Sequence, residues 1–197
     1  MTSSIEPNGK PKIVYAGKIG ALVDYPMRIT HDGTTRDVTF QKFVRPPGTR
    51  IIAINEKSLI YLQQEARAET DNPDWRLPGG KVLDTFEEYI PYLEEEIPTE
   101  LILDAAQREL QEEAQITSND LQIIHRSTSG SSVTWDLFYI TAENISKYEN
   151  THHELEPIIS GSWFAISDVR DMCMNKQIQE DRSVAVLLRY IDKYTNK

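Results

Sequence analysis

The chain has 197 residues, 39% apolar and 26% charged, with 10 Pro and 9 Gly spread along it, a globular profile that excludes disordered and collagen-like classes. Thirty-one acidic against 21 basic residues give a net charge of −10, which opposes binding to a phosphate backbone and argues against a nucleic-acid partner. Cys173 is the only cysteine, so an intramolecular disulfide and a cysteine zinc cage are excluded, and no apolar run approaches membrane-spanning length.

Residues 1–11 are polar with Pro and Gly and read as a flexible leader before one domain over 12–197. Ile13 to Val23 and Arg36 to Val44 are predicted as antiparallel strands about the turn His31-Asp32-Gly33, making an arm over 12–45. Arg50 to Ile54 and Ser58 to Gln63 follow as two apolar strands, expected as a local hairpin through Asn55-Glu56-Lys57. Asp71 to Gly80 (DNPDWRLPGG) is a loop by composition, yet it carries Trp75 and Leu77 and ends in Pro-Gly-Gly, so it positions something.

From Thr99 the pattern turns helical, with Leu101, Leu103, Ala106 and Leu110 at mixed three and four spacings to about Glu113 or Gln115. Leu121 to Ile124, Val133 to Ile140 and Gly161 to Ala165 are further strands. Ser167 is expected to cap a helix carrying Val169, Met172 and a buried Cys173; Val184, Leu187, Leu188 and Ile191 then form a C-terminal amphipathic helix. Strands interleaved with three helices fit an α+β protein with a mixed sheet.

The chemistry concentrates in the central helix. Glu109 and Glu113 are one turn apart and Glu112 is three residues from Glu109, so three carboxylates share a face. Like charges so placed repel, and a hard divalent cation reverses the sign of the interaction. A solvated acidic face is the plain alternative, and the surrounding spacing decides against it. Glu100, seven residues, then Arg108-Glu109-Leu110-Gln111-Glu112-Glu113 and Ile116 match the second half of the Nudix box, G-x5-E-x7-R-E-U-x-E-E-x-G-U, with U aliphatic. Five fixed charged positions recur by chance about once in 10⁴ chains of this length.

The sequence therefore resembles a Nudix hydrolase. Trp75-Arg76-Leu77-Pro78-Gly79-Gly80-Lys81-Val82 is similar to the loop that leads into the family's box. Two positions depart. Glu94 stands where the box's first glycine belongs, so Gly80 serves only if 14 residues are inserted, which 84–99 accommodates as an acidic, partly helical segment. Gln115 replaces the glycine after the helix, at about 1 kcal/mol if a left-handed conformation is kept. The flanking strands and the segment Gln63-Gln64 to Arg67 look like the ADP-ribose pyrophosphatase branch.

That resemblance implies an α/β/α sandwich with a mixed sheet and an N-terminal antiparallel strand arm that helps build a homodimer. It also implies a Mg²⁺-dependent enzyme, with Mn²⁺ as a substitute, that cleaves the diphosphate of ADP-ribose or another nucleotide sugar; with neither a membrane-length run nor the apolar core of a signal peptide, the chain is expected to be cytoplasmic. Glu109, Glu112, Glu113 and the Gly79 carbonyl are the implied metal ligands. Arg67 and Arg76 are candidate phosphate clamps, Trp75 a candidate wall for substrate, and Arg108 a residue that orients a carboxylate. The base lies by resemblance on the loop before the last strand, which offers Glu154 and Glu156; spacing to Trp163 favours Glu156, with Glu112 as alternative. Adjacent His152 and His153 point apart and make a poor chelate. The rival readings are a Nudix-fold sensor that binds a nucleotide sugar without cleaving it, and a nucleoside triphosphate or dinucleotide hydrolase.

Overall fold

The computed structural model describes residues 3–66, 73–147 and 158–195. In chain order it has strands β1 (Ser3–Pro7), β2 (Lys12–Gly17), β3 (Gly20–His31), β4 (Thr34–Val44), β5 (Gly48–Ala53), β6 (Leu59–Glu65) and β7 (Asp74–Arg76). Helix α1 (Phe86–Tyr89), a 3₁₀ turn (Ile90–Leu93) and helix α2 (Thr99–Ala114) follow. Strands β8 (Ile116–Ser127), β9 (Val133–Thr134), β10 (Leu137–Lys147) and β11 (Ile158–Ala165) lead into helices α3 (Ile166–Met174) and α4 (Asp181–Thr195). The class is α+β with mixed sheet, as the sequence predicts, and among the described residues no helix is long and apolar enough to cross a membrane.

The chain divides into two compact units. The first comprises residues 1–47, 83–98 and 128–136. Its frame is the hairpin of β3 and β4, in register from Ala21 opposite Val44 to His31 opposite Thr34. Asp32 (φ 45°) and Gly33 (φ 82°) both take positive φ, which matches the right-handed twist of the flanking strands and makes the predicted turn. Arg28 bonds Asp37 across the hairpin at 2.8 Å, the two residues being direct partners in the ladder. β1 and β2 pair with opposite ends of β3, and β9 runs parallel to β4. The leader expected over 1–11 is thus corrected in part: Ser3–Pro7 is a paired strand. In the segment expected as an insertion, Thr85 and Glu88 form a reciprocal capping box that starts α1, and Phe86 and Tyr89 are buried edge-to-face.

The second unit comprises residues 48–82, 99–127 and 137–197. One sheet has the order β5-β10-β8, parallel then antiparallel; the other is antiparallel β11-β6-β7. All six residues of β5 are buried, as a parallel strand covered on both faces requires. Ile54 and Ile60 form only an isolated bridge, so β5 and β6 are not the hairpin expected: each belongs to a different sheet. Helix α2 packs Ile102, Ala105, Ala106 and Leu110 inward, in contact with β8, β5 and β10. Helix α3 lies on β11 and β6 and against α4.

Three further expectations change. Part of the loop over 71–80 is strand β7, anchored to β6 by Gln63 opposite Arg76. The strand expected from Val133 to Ile140 breaks after Thr134 into β9 and β10. Ala165, not Ser167, is the N-cap of α3, and no side chain caps it; the Ser167 hydroxyl sits in the first turn beside Asp168. Cys173 is buried as expected, and burial pushes its thiol up to about 11.

Candidate active site

The site is assembled within the second unit from three pieces of chain: the turn Pro78-Gly79-Gly80, the last two turns of α2, and one face of β6. The turn is laid along β5, with the Ile51 amide donating to the Pro78 carbonyl at 2.9 Å and the Thr49 amide to the Gly80 carbonyl at 2.8 Å. Gly79 has φ 145°, and a Cβ there would run into the Thr49 carbonyl, so the close approach demands glycine. A Cβ on Gly80 would occupy the space of the Glu109 carboxylate. The absence of a side chain at Gly80 therefore lets the helix carboxylate meet the turn.

Glu113, one turn further along α2, accepts two hydrogen bonds at Oε2: from the Gly79 amide at 2.8 Å and from Gln63 Nε2 at 2.9 Å. Gln63 Nε2 also donates to Glu65 Oε1 at 3.0 Å. Gln63 is 0% exposed and Glu65 5%, so a buried strand face is polar. Gln63 Oε1 has no hydrogen-bond partner among the described residues, a defect worth about 1 to 3 kcal/mol against the fold. Tyr61 lies on the same face of β6, and its hydroxyl pKa is raised by burial and then by the Glu113 charge.

The Gly79 carbonyl is held from the other side. Arg50 Nη1 donates to it at 3.1 Å and to the Thr49 carbonyl at 2.9 Å, while Arg50 Nε pairs with Glu180 Oε2 at 2.9 Å. Ser183 donates to the same Glu180 oxygen at 2.7 Å and lies 3.2 Å from the Tyr139 hydroxyl. Burial alone would raise the Glu180 carboxyl; the Arg50 charge and the hydrogen bonds from Arg50 and Ser183 outweigh it, and its pKa is lowered. Burial pushes Tyr139 up to about 12 despite the Ser183 bond. Arg50 and Glu180 escaped the sequence reading. The one signal was a cation inside the apolar run Gly48-Thr49-Arg50-Ile51-Ile52-Ala53, a residue type almost never buried unless paired.

The remaining candidates fall as follows. Arg108 donates to the Lys81 carbonyl at 3.0 Å and sits 3.7 Å from Glu109 Oε1. Glu112 is half-buried on the same helical turn as Glu109 and Glu113. Arg76 is tied through Nε to fully buried Asp74 at 2.8 Å, and Asp74 in turn accepts from the Gln179 amide. Trp75 is partly exposed and packs edge-on to Phe164 at 4.9 Å. Arg67, Glu154 and Glu156 lie outside the described residues, as do His152 and His153. Gln115 holds the left-handed conformation (φ 54°) that the glycine of the box would take, so the helix ends in that geometry despite the substitution.

The donor set fits a hard divalent cation: carboxylate oxygens of Glu109 and Glu113 flank a turn that presents backbone carbonyls. Among the described residues no three acidic, His or Cys side chains converge on one point. Mg²⁺ does not need them to, since it is held by one or two carboxylates and completes its shell with water and substrate phosphate.

A sequence model of the NUDIX domain matches residues 44–186. The chain belongs to the NUDIX family. It is the Nudix hydrolase that the spacing of Arg108, Glu109, Glu112 and Glu113 leads one to expect, and hydrolases of this family use divalent metal ions. A solved structure described as an ADP compounds hydrolase shares the fold, with a TM-score of 0.66, 19% identity and 96% of each chain covered. Comparison with curated proteins finds no match.

Proposed function

We propose that this Nudix hydrolase cleaves the diphosphate of ADP-ribose or another nucleotide sugar, releasing a nucleoside monophosphate and a sugar phosphate, with Mg²⁺ as its cation and Mn²⁺ as a substitute. The observation that carries the reading is the meeting of Glu109 and Glu113 with the Gly79-Gly80 turn, which puts two carboxylates of the box at a backbone corner no side chain fills. The solved ADP compounds hydrolase, similar over nearly the whole chain, supports the substrate class.

In this reading Glu109, Glu112, Glu113 and the Gly79 carbonyl share two or three cations between them, no single ion needing all three carboxylates. Arg50 takes one lone pair of that carbonyl and leaves the second for a ligand bond. A bound divalent cation supplies charge to the diphosphate oxygens as negative charge builds up on them. Arg76, fixed at Nε by Asp74, directs its guanidinium toward phosphate, with Arg67 as its partner, and Trp75 forms a wall for the substrate. Arg108 orients Glu109. Water attacks phosphorus, and Glu156 takes its proton, with Glu154 and Glu112 as the alternatives that mutation distinguishes. Replacing a base acts on the chemical step, so Glu156→Gln lowers kcat and leaves KM nearly unchanged.

The enzyme works in this proposal as a cytoplasmic homodimer joined through the first unit, where Tyr15 is 70% and Ile19 61% exposed together with Ile5 and Val14. The deciding experiment incubates the protein with a panel of nucleotide sugars and Mg²⁺ and measures nucleoside monophosphate released. Release from at least one, lost in Glu113→Gln, supports the assignment; no release from any of them refutes it.

A further inference from the structure

Strand β6 alternates in an unusual way. Ile60 and Leu62 face one side and are fully buried, as a core strand requires, but the other side carries Tyr61, Gln63 and Glu65, and Gln63 and Glu65 are buried as deeply as core residues. A buried carboxylate and a buried amide on one face are unfavourable unless each is hydrogen-bonded. Their bonds show what they serve. Gln63 uses both N–H groups of one nitrogen on carboxylates, Glu65 at 3.0 Å and Glu113 at 2.9 Å, and leaves its own Oε1 without a partner among the described residues. The reverse orientation of the amide would press Oε1 against two carboxylates. Its orientation is therefore dictated by two acids, one on the strand and one on the helix.

We infer that Gln63, held in place by Glu65, is a positioning residue for the cation ligand Glu113. Two donors, the Gly79 amide and Gln63, converge on Oε2 of Glu113, which removes the rotation of the carboxylate about its terminal bond. A ligand already fixed loses less freedom when the ion arrives. Groups that orient a ligand from behind in this way are commonly worth about 10- to 100-fold in metal affinity. Glu65 takes the second N–H of Gln63 and so keeps the amide from turning. The inference rests on the assignment of Glu113 as a ligand in the proposed function, and it adds a contribution from outside the Nudix box, from a strand whose residues no part of the box specifies.

The test reads metal binding directly, without turnover. Mn²⁺ alone is titrated into the purified full chain and the free ion is followed by electron paramagnetic resonance, for the wild type and for Gln63→Leu, Glu65→Leu and the double variant. Gln63→Leu is expected to weaken Mn²⁺ binding by about 10-fold or more, and Glu65→Leu by a smaller factor. The double variant is expected to lose clearly less than the product of the two single effects, because the part of the Glu65 effect that passes through Gln63 is already gone. Unchanged or tighter Mn²⁺ binding in Gln63→Leu overturns the inference, as does a double variant weaker by the product of the two single effects. Far-ultraviolet circular dichroism in EDTA checks folding, and if Gln63→Leu is unfolded the same comparison is made with Gln63→Met, whose shape is closer to Gln. If the wild type itself takes up no Mn²⁺, the cation assignment of the proposed function fails; if it binds and the Gln63 variants bind equally, only the role of Gln63 fails.

Discussion

The two units treat their strands differently. In the second, β5 has all six residues buried, Arg50 among them, and its polar groups are consumed by named partners. In the first, β1 and β2 lie along a long hairpin with Ile5, Val14 and Tyr15 turned outward, and the Arg28–Asp37 pair across that hairpin is exposed. Covered backbone with paired charge holds a fixed geometry, which chemistry needs. An exposed apolar sheet has surface to offer, which assembly needs. The contrast teaches that the proposed site draws on more than the box: Arg50 of β5 bonds the Gly79 carbonyl and Gln63 of β6 bonds Glu113, both from buried positions.

Five substitutions break or sharpen this contrast. The largest effect is expected in the second unit, where Glu113→Gln removes a proposed ligand and lowers turnover by more than about 100-fold while leaving the circular dichroism spectrum unchanged, since the residue is half-buried on a polar face. Near-normal turnover at saturating Mg²⁺ would overturn its role. Next, Arg50→Met strands Glu180 with its side chain 14% exposed, and urea denaturation should show a loss of about 3 to 5 kcal/mol.

The same pair gives a pH dependence. The Glu180 pKa is lowered in the fold, so its contribution is complete above the ordinary carboxylate value and disappears as pH falls through the folded-state value. Stability measured from pH 7 down to about 3 should fall less steeply in Glu180→Gln than in the wild type. An identical slope removes Glu180 from the acid response.

In the first unit the effects should be smaller and of another kind. Tyr15→Glu is expected to convert the proposed dimer to monomer by light scattering while changing the stability of the chain by no more than about 0.5 kcal/mol, because the side chain is exposed within one copy. A wild type that is already monomeric at micromolar concentration contradicts the assembly. Gly33→Ala should leave assembly untouched: nothing lies within 4 Å of the new methyl, so only the positive φ opposes it, at about 1 kcal/mol in urea denaturation.

Much of this was legible in the chain. Helix α2 could be read because its apolar spacing and its charged spacing agree, and the turn at Asp32-Gly33 because positive φ selects those residue types. The capping box Thr85 to Glu88 went unread, although Thr-x-x-Glu is its sequence signal. β1 was not readable, because Ser-Ser-Ile-Glu-Pro has no alternation and gains its order only from pairing with β3. Nor was the pairing of β5: periodicity marks a strand but names no partner, and its partner β10 begins at Leu137. The polar face of β6 was the hardest, because Tyr61, Gln63 and Glu65 alternating with Ile60 and Leu62 look like a solvent face until the burial is known.

The bond between Arg50 and Glu180 spans 130 positions. At about 5 to 20 residues per second, a ribosome makes the second partner roughly 6 to 26 seconds after the first. Throughout that interval the nascent chain carries, in a strand whose six residues are all buried in the fold, a cation without its Glu180 partner, and for most of it that strand has no β10 to pair with. The Gly79 carbonyl cannot receive its full brace until the start of α4 has been made. The geometry proposed for catalysis is therefore among the last things the growing chain acquires, and the unpaired strand is the segment most exposed to chaperones and to aggregation while it waits.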